Sequence, residues 1–367
     1  MRVVLTGGCT GGHIYPALAI GDKFRERDPE CEVVYIAHAH GMETTIVPAA
    51  GYDLKIVTAD WVRRDKPIKM IKTLLNTLKG RREALRIIRE FKPDVIMSTG
   101  SFVSVPAVLA GHAYGAKIFM HEQNGFPGVS NRAFAKYATK IFLGFESARE
   151  YFKEKDKIIY SGNPVRRDFY GRNRAEDRKA MEINDDSFVI TVFGGSLGSG
   201  TTNKIGEALI REFGGREGYT VIFGTGKMYY ENVCADLNAK GLADMPNVRV
   251  MPYIKDMPAF MSASDLVISR AGALSVAEVT MSGRAAIFVP SSNVTADHQY
   301  YNAKAVADNG GALIVRDTET AAPEVMELVR ELDNDRDRII RMEKASFELA
   351  PAQAADIIYD TIMESFR

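Results

Sequence analysis

Four short segments gather the side chains best able to do polar chemistry. They are Thr10-Gly11-Gly12-His13, His121-Glu122-Gln123-Asn124, Ser269-Arg270-Ala271-Gly272-Ala273-Leu274-Ser275 on to Glu278, and Asp297-His298-Gln299. Each is expected at a strand end, the place where α/β folds collect ligands, and all four can face one cleft. The chain also carries Gly-Gly-x-x-Gly twice, at Gly7, Gly8 and Gly11 and again at Gly194, Gly195 and Gly198, each after an apolar run. Glycines there let a ligand approach the backbone, and the following helix N-terminus offers N–H groups and positive potential to phosphate or sugar oxygens. Plainer accounts stay open. Glycine suits any βα turn, His13 could cap its helix, Ser275-x-x-Glu278 has the spacing of a capping box, and His121 to Asn124 could be an ordinary polar loop.

The elements that must position these segments follow a repeated rhythm. A strand is predicted over Arg2 to Thr6, then the glycine loop, a helix from Ile14 to Arg27 and a strand from Glu32 to Ala37. Apolar runs at Val95 to Met97 and Lys117 to Met120 alternate with helical stretches, which predicts βαβ units and a parallel sheet. After Gly162-Asn163-Pro164 the rhythm restarts with a strand over Phe188 to Phe193, a glycine loop, a helix from Asn203 and a strand over Tyr219 to Phe223. The fold class is therefore α/β, with two Rossmann-like parallel-sheet domains, 1–164 and 165–350, facing an interdomain cleft. A length of 367 residues suits two such domains, each able to bury a core without disulfides.

Several function classes are excluded. Cys9 stands where a dinucleotide fingerprint needs its second glycine, and the second strand ends Ile36-Ala37-His38 without the acidic ribose ligand. No Walker sequence occurs, and Gly224-Thr225-Gly226-Lys227 is too short to be one. Six histidines are scattered without H-E-x-x-H, and Asp333-Asn334-Asp335 reads as a solvated helix start, so neither a protein-held metal nor a cofactor is expected. Cys9, Cys31 and Cys234 are odd in number and lack C-x-x-C spacing, which fits a reducing compartment. The start, Met1 to Thr6, lacks the features of a secretory signal, so a cytoplasmic location is expected.

Net charge is zero, yet segment 63–92 holds eleven Lys and Arg against three acids. Ile68, Ile71, Leu74, Leu75 and Leu78 fall at helical spacing among those bases, as in a helix that sinks an apolar stripe into lipid while bases meet anionic headgroups. A core helix with a solvated basic back is the competing account. Nucleic acid is not an expected partner, because the bases are confined to this one stretch.

Six ordered blocks, GGCTGGHIYPALAI from Gly7, HEQNGFPGVSNR from His121, GNPVR from Gly162, GGSLGSG from Gly194, SRAGALSVAE from Ser269 and DHQYYNA from Asp297, resemble the MurG family nearly end to end. That family comprises UDP-N-acetylglucosamine transferases that convert lipid I to lipid II in peptidoglycan synthesis. The resemblance implies a GT-B fold, an N-terminal domain facing acceptor and membrane, and a C-terminal domain binding UDP-GlcNAc. It also implies a last helix, within 351–367, crossing back to the first domain, with Pro351 suited to its first turn. By motif, Ile254 would meet uracil, Glu278 in the Ala273-Leu274-Ser275-Val276-Ala277-Glu278 stretch the ribose, and Ser196 and Arg166 the diphosphate. Gln299, Asn124, Thr10, Gly11 and Gly12 would hold the sugar. The attacking C4 hydroxyl of lipid I needs a base; His13 is the candidate and Glu122 the alternative. Peripheral attachment to the inner face of the cell membrane, through 63–92, is expected with an undecaprenyl-linked acceptor.

Departures from the family fall at Cys9, His298, Trp61-Val62-Arg63-Arg64 and Gly100-Ser101-Phe102-Val103-Ser104, where Phe102 replaces a tyrosine and cannot supply its hydroxyl. They leave room for a related transferase with another lipid or secondary-metabolite acceptor. A UDP-GlcNAc 2-epimerase-like enzyme shares the architecture but does not need the basic segment. A membrane-surface UDP-GlcNAc sensor would keep the donor residues without turnover.

Overall fold

A computed structural model describes residues 1–60, 67–195, 198–294 and 297–367, with only the backbone given for 67–70. The chain divides into two compact units, Met1–Arg166 with Gln353–Arg367, and Arg167–Ala352. The first runs β1 (Arg2–Thr6), α1 (Gly11–Arg27), β2 (Glu32–Ala37), α2 (Glu43–Ala49), β3 (Asp53–Ile56), α3 (Pro67–Phe91), β4 (Val95–Ser98), α4 (Val105–Tyr114), β5 (Lys117–Glu122), α5 (Val129–Phe134), β6 (Lys140–Leu143) and β7 (Ile158–Tyr160). The second runs α6 (Arg174–Ala180), β8 (Phe188–Phe193), α7 (Gly200–Phe213), β9 (Tyr219–Gly224), α8 (Tyr230–Ala239), β10 (Val248–Met251), α9 (Met257–Ala263), β11 (Leu266–Ser269), α10 (Ala273–Met281), β12 (Ala285–Phe288), α11 (His298–Ala307), β13 (Ala312–Ile314), α12 (Ala321–Asn334) and α13 (Arg336–Glu348). A final helix, α14 (Ala354–Glu364), belongs to the first unit.

Both sheets are parallel, in the orders β3-β2-β1-β4-β5-β6-β7 and β10-β9-β8-β11-β12-β13. Strands covered by helices on both faces read as nearly continuous apolar runs, and β8, FVITVF, is buried at every residue, its one polar side chain, Thr191, bonded to Ser264 Oγ at 2.6 Å. Alternation still sorts the side chains: Val3 and Leu5 of β1 enter the core on one face of the first sheet, and Val4 enters the core on the other. In each sheet the order reverses beside its first strand, between β1 and β4 and between β8 and β11. Connections leave in opposite directions there, opening room at the strand ends for a ligand.

Four helix starts differ from the readings above. Helix α1 begins at Gly11 and α7 at Gly200, so the glycine loops run directly into the first helical turns. Helix α10 begins at Ala273 with Gly272 as N-cap, which places Ser275 and Glu278 inside the helix and removes the capping box. Pro351 lies outside α14, whose N-cap is Gln353.

Helix α14 docks by burial. Ile358 and Ile362 are fully enclosed in the same core as Val3 and Phe24, and the Tyr359 ring meets Phe24 edge-on at 5.1 Å. Asp356 pairs with Lys23 at 3.2 Å and with Arg27 at 3.4 Å, contacts exposed enough to contribute little. Replacing Ile362 by alanine should cost the first unit about 2–5 kcal/mol. The loss would be read as a lower urea midpoint, and an unchanged midpoint would show that the helix is not docked.

Helix α3 presents the opposite pattern. Thr73, Gly80, Ala84 and Ile88 face inward, and a Cβ on Gly80 would sit 1.8 Å from the Thr58 carbonyl oxygen, so only glycine permits that approach. Ile71, Leu74, Leu75 and Leu78 are 43–63 % exposed. The account of α3 as a core helix with a solvated basic back therefore fails for these residues: their apolar stripe points out. Arg63, Arg64 and Lys66 lie outside the described residues. Among the described residues no helix is long and apolar enough to cross a membrane.

Candidate active site

In the first unit the site is built where the sheet order reverses. The loop after β1 leads into the first turn of α1, carrying Thr10, Gly11, Gly12 and His13, while the loop after β4 carries Thr99 and the end of β5 carries His121 to Asn124. His13 makes no helix cap. Its Nδ1 lies 2.8 Å from the Thr99 carbonyl oxygen and 3.0 Å from Gln123 Oε1. Both partners only accept, so Nδ1 carries the hydrogen and the neutral ring keeps its lone pair on Nε2. Thr99 Oγ1 donates to the His13 carbonyl oxygen at 2.7 Å, tying loop to helix. Gly7 makes this possible, because a Cβ there would fall 2.0 Å from Thr99 Oγ1.

Behind His13 the bonding continues. Gln123 Nε2 reaches His121 Nδ1 at 3.0 Å and the His121 carbonyl oxygen at 3.1 Å, while His121 Nε2 donates to the Gly162 carbonyl oxygen at 3.0 Å. His121 is wholly enclosed, and burial pushes its pKa down to about 4 against the opposing effect of the Gly162 bond. A histidine free in the unfolded chain takes up a proton near pH 6.5, whereas the folded one resists until about 4. The stability held by neutral His121 should therefore be complete above pH 6.5 and be lost as pH falls toward 4, up to about 3 kcal/mol. Urea unfolding of the wild type and of His121→Asn across that range should converge toward acid pH if this group is responsible.

Glu122 is buried and saturated. Oε1 accepts from the Asn124 N–H at 3.0 Å and from Asn124 Nδ2 at 3.2 Å; Oε2 accepts from the Gly128 N–H and from Asn131 Nδ2, each at 2.9 Å. Four donors on one carboxylate organise the loop from Asn124 to Asn131 and occupy the lone pairs a base would use. Arg166 lies with its guanidinium 5.3 Å from the centre of the Tyr15 ring on α1. Cys9, at φ +74°, donates its N–H to Glu43 Oε2 at 3.1 Å, and Glu43 Oε1 bonds His38 Nδ1 at 2.5 Å. The Phe102 ring stands edge-on to His38 at 5.3 Å, packing into the support of the glycine loop.

In the second unit the expected donor residues again sit at strand ends. Ile254 follows β10 and is buried, Ala273, Leu274, Ser275, Val276, Ala277 and Glu278 form the first two turns of α10 after β11, and Gln299 opens α11 after β12. Ser196 lies outside the described residues. Gln299 Oε1 accepts from the Ser291 N–H at 2.9 Å, which leaves donation to its Nε2.

Arg270 fastens these loops together. It donates to Ser199 Oγ at 2.7 Å and to the Val289 carbonyl oxygen at 3.0 Å, and pairs with Asp317 at 2.9 Å. Burial opposes ionisation of Asp317, but hydrogen bonds from Thr201 and Arg270 outweigh it and hold the carboxyl below its usual range. Asp333 accepts from the Tyr219 hydroxyl at 2.8 Å, and Asp335 caps α13, so both acids of the D-x-D sequence have structural partners. Among the described residues no group of His, Cys, Asp and Glu is arranged to hold a metal ion.

Sequence reasoning left Thr99, Gln123, Arg270 and Asn203 without roles. Asn203 is buried in the first turn of α7, and neither of its amide atoms has a partner among the described residues. Its spacing from Gly206 and Ile210, both buried, was the available signal: a polar amide on the core face of a helix.

Two doubly wound parallel units of this kind have the GT-B architecture, and residues 3–143 and 189–359 match the N-terminal and C-terminal domains of glycosyltransferase family 28, which makes the chain a glycosyltransferase. The chain is 36% identical over 359 residues to the UDP-N-acetylglucosamine--N-acetylmuramyl-(pentapeptide) pyrophosphoryl-undecaprenol N-acetylglucosamine transferase of Alkaliphilus oremlandii, covering 98% of this chain and 97% of the relative. Acinetobacter baumannii MurG superposes with a TM-score of 0.76 at 28% identity, over 99% of each chain. The chain belongs to the MurG family. A Neisseria meningitidis UDP-GlcNAc 2-epimerase bound to UDP-GlcNAc shares the fold, with a TM-score of 0.71 at 16% identity over 99% of this chain and 100% of the epimerase.

Proposed function

We propose that this chain transfers N-acetylglucosamine from UDP-GlcNAc to the C4 hydroxyl of the N-acetylmuramyl unit of undecaprenyl-linked lipid I, giving lipid II with inversion at the anomeric carbon. The observation that carries the chemical reading is the 2.8 Å contact of His13 Nδ1 with the Thr99 carbonyl oxygen: a ring whose Nδ1–H is spent there has a basic nitrogen, Nε2, to offer. In the step proposed, the acceptor oxygen forms its bond to the anomeric carbon as the bond to the UDP β-phosphate breaks, its electron pair leaving with UDP. The hydroxyl proton goes to His13 Nε2. Arg166 and helix N-termini, rather than a metal, meet the departing diphosphate's charge. UDP-GlcNAc is assigned to Ile254 for the base, Glu278 for the ribose, Ser196 for the diphosphate and Gln299 for the sugar, with Thr10, Gly11, Gly12 and Asn124 also on the sugar. On this reading residues 1–164, with the C-terminal helix, serve the acceptor and 165–350 the donor.

The acceptor's lipid tail suggests why Ile71, Leu74, Leu75 and Leu78 face outward among Lys72, Lys79 and Arg82. Such a stripe suits peripheral attachment to an anionic membrane on its cytoplasmic side. Leu74→Glu with Leu75→Glu should weaken binding to vesicles containing phosphatidylglycerol by about tenfold or more. The thermal midpoint should hold, because both side chains are already about 60 % exposed. Unchanged vesicle binding would remove the membrane role of α3.

The overall reading is tested by following labelled GlcNAc from UDP-GlcNAc to a short-chain lipid I analogue with EDTA present, and determining the linkage. A β-1,4 product is expected; donor binding without transfer would point to a different acceptor or to a sensor.

A further inference from the structure

The hydrogen bonds behind His13 form a directed chain, and its direction is set at the end remote from the reacting side. His121 Nε2 faces the Gly162 carbonyl oxygen at 3.0 Å, which can only accept, so Nε2 carries the hydrogen and Nδ1 the lone pair. Gln123 then has two acceptors on one side, His121 Nδ1 at 3.0 Å and the His121 carbonyl oxygen at 3.1 Å. Its amide must turn Nε2 toward them, because the reverse orientation would set oxygen against two lone pairs. Oε1 is thereby presented to His13 Nδ1 at 3.0 Å. The neighbouring backbone is held as well, by Asn163 Nδ2 on the Gln123 carbonyl oxygen at 3.0 Å and Asn131 Nδ2 on that of His121 at 3.2 Å.

We infer that Gln123 and His121 are positioning residues for the transfer, a relay that keeps His13 in its Nδ1–H tautomer and meets the imidazolium with an amide dipole instead of a carboxylate. This rests on the assignment of His13 as base. When Nε2 takes the acceptor's proton, Nδ1–H already points at two oxygens, Thr99 O and Gln123 Oε1, so no group need turn as charge appears. The relay works only with His121 neutral. A hydrogen on His121 Nδ1 would favour the opposite amide orientation, turn Gln123 Nε2 toward His13, and favour the tautomer that has no basic Nε2.

The test uses the full-length chain. In 15N-histidine-labelled wild type at neutral pH, His13 should give a protonated Nδ1 and an unprotonated Nε2, and His121 the reverse. Gln123→Met, which keeps length and loses the amide, should lower kcat by about tenfold to a hundredfold with the KM for UDP-GlcNAc within about twofold. The same change in a His13→Asn background should add nothing. His121→Asn, which can still offer an oxygen to Gln123 Nε2, should retain more turnover than His121→Leu. Finding His13 as the Nε2–H tautomer in the wild type would overturn the relay without recourse to any variant. Wild-type kcat in a folded Gln123→Met, alongside a crippled His13→Asn, would also overturn it. Near-normal turnover of His13→Asn would instead overturn the base assignment, and the relay's part in the transfer with it, whatever the tautomer.

Discussion

His13→Asn should lower kcat by about 10²–10⁴-fold while leaving UDP-GlcNAc affinity nearly unchanged, the range that one positioned proton acceptor supplies to a transfer step. Asparagine can retain the bond to the Thr99 carbonyl oxygen, made at 2.8 Å by His13 Nδ1, so the glycine loop keeps its anchor and the loss isolates the missing Nε2. The acid limb of the kcat profile should vanish in the variant. Steady-state kinetics over pH, with donor affinity measured separately by calorimetry, would check this. Near-normal turnover with unchanged affinity would remove His13 as the base.

Glu122→Ala should be the most destabilising of the site substitutions, by about 3 kcal/mol or more, because it strips the acceptor from four N–H donors. Two of those donors belong to the Asn124 backbone and side chain, and one to Asn131, which also holds the His121 carbonyl oxygen. Unfolding in urea should show an early loss of the first unit, while the residual folded enzyme keeps the acid limb of its pH profile. A variant with full stability, kcat reduced more than about a hundredfold and no acid limb would exchange the roles of Glu122 and His13.

Much of the architecture was legible because it is written at short range. Parallel strands enclosed on both faces need apolar runs, and Phe188 to Phe193 was readable as such without knowing its neighbours. The helix starts were displaced for an equally local reason: glycine weakens the helical signal, so Gly11 and Gly200 read as loop although each lies in a first turn. Likewise Ser275-x-x-Glu278 has the spacing of a cap, but Gly272 takes that position three residues earlier.

The sequence by itself determined the family, the α/β class and the segments that hold the polar residues, since these depend on motif order and periodicity along the chain. Only the tertiary structure decided what those residues do for one another. Thr99 and Gln123 lie 86 and 110 residues from His13, and they meet it because β1, β4 and β5 are neighbours in the sheet. That adjacency is a property of strand order, which no local spacing records. The outward face of α3 was decided the same way: helical periodicity groups Ile71, Leu74, Leu75 and Leu78, but the approach of Gly80 to Thr58 determines which side of the helix is covered.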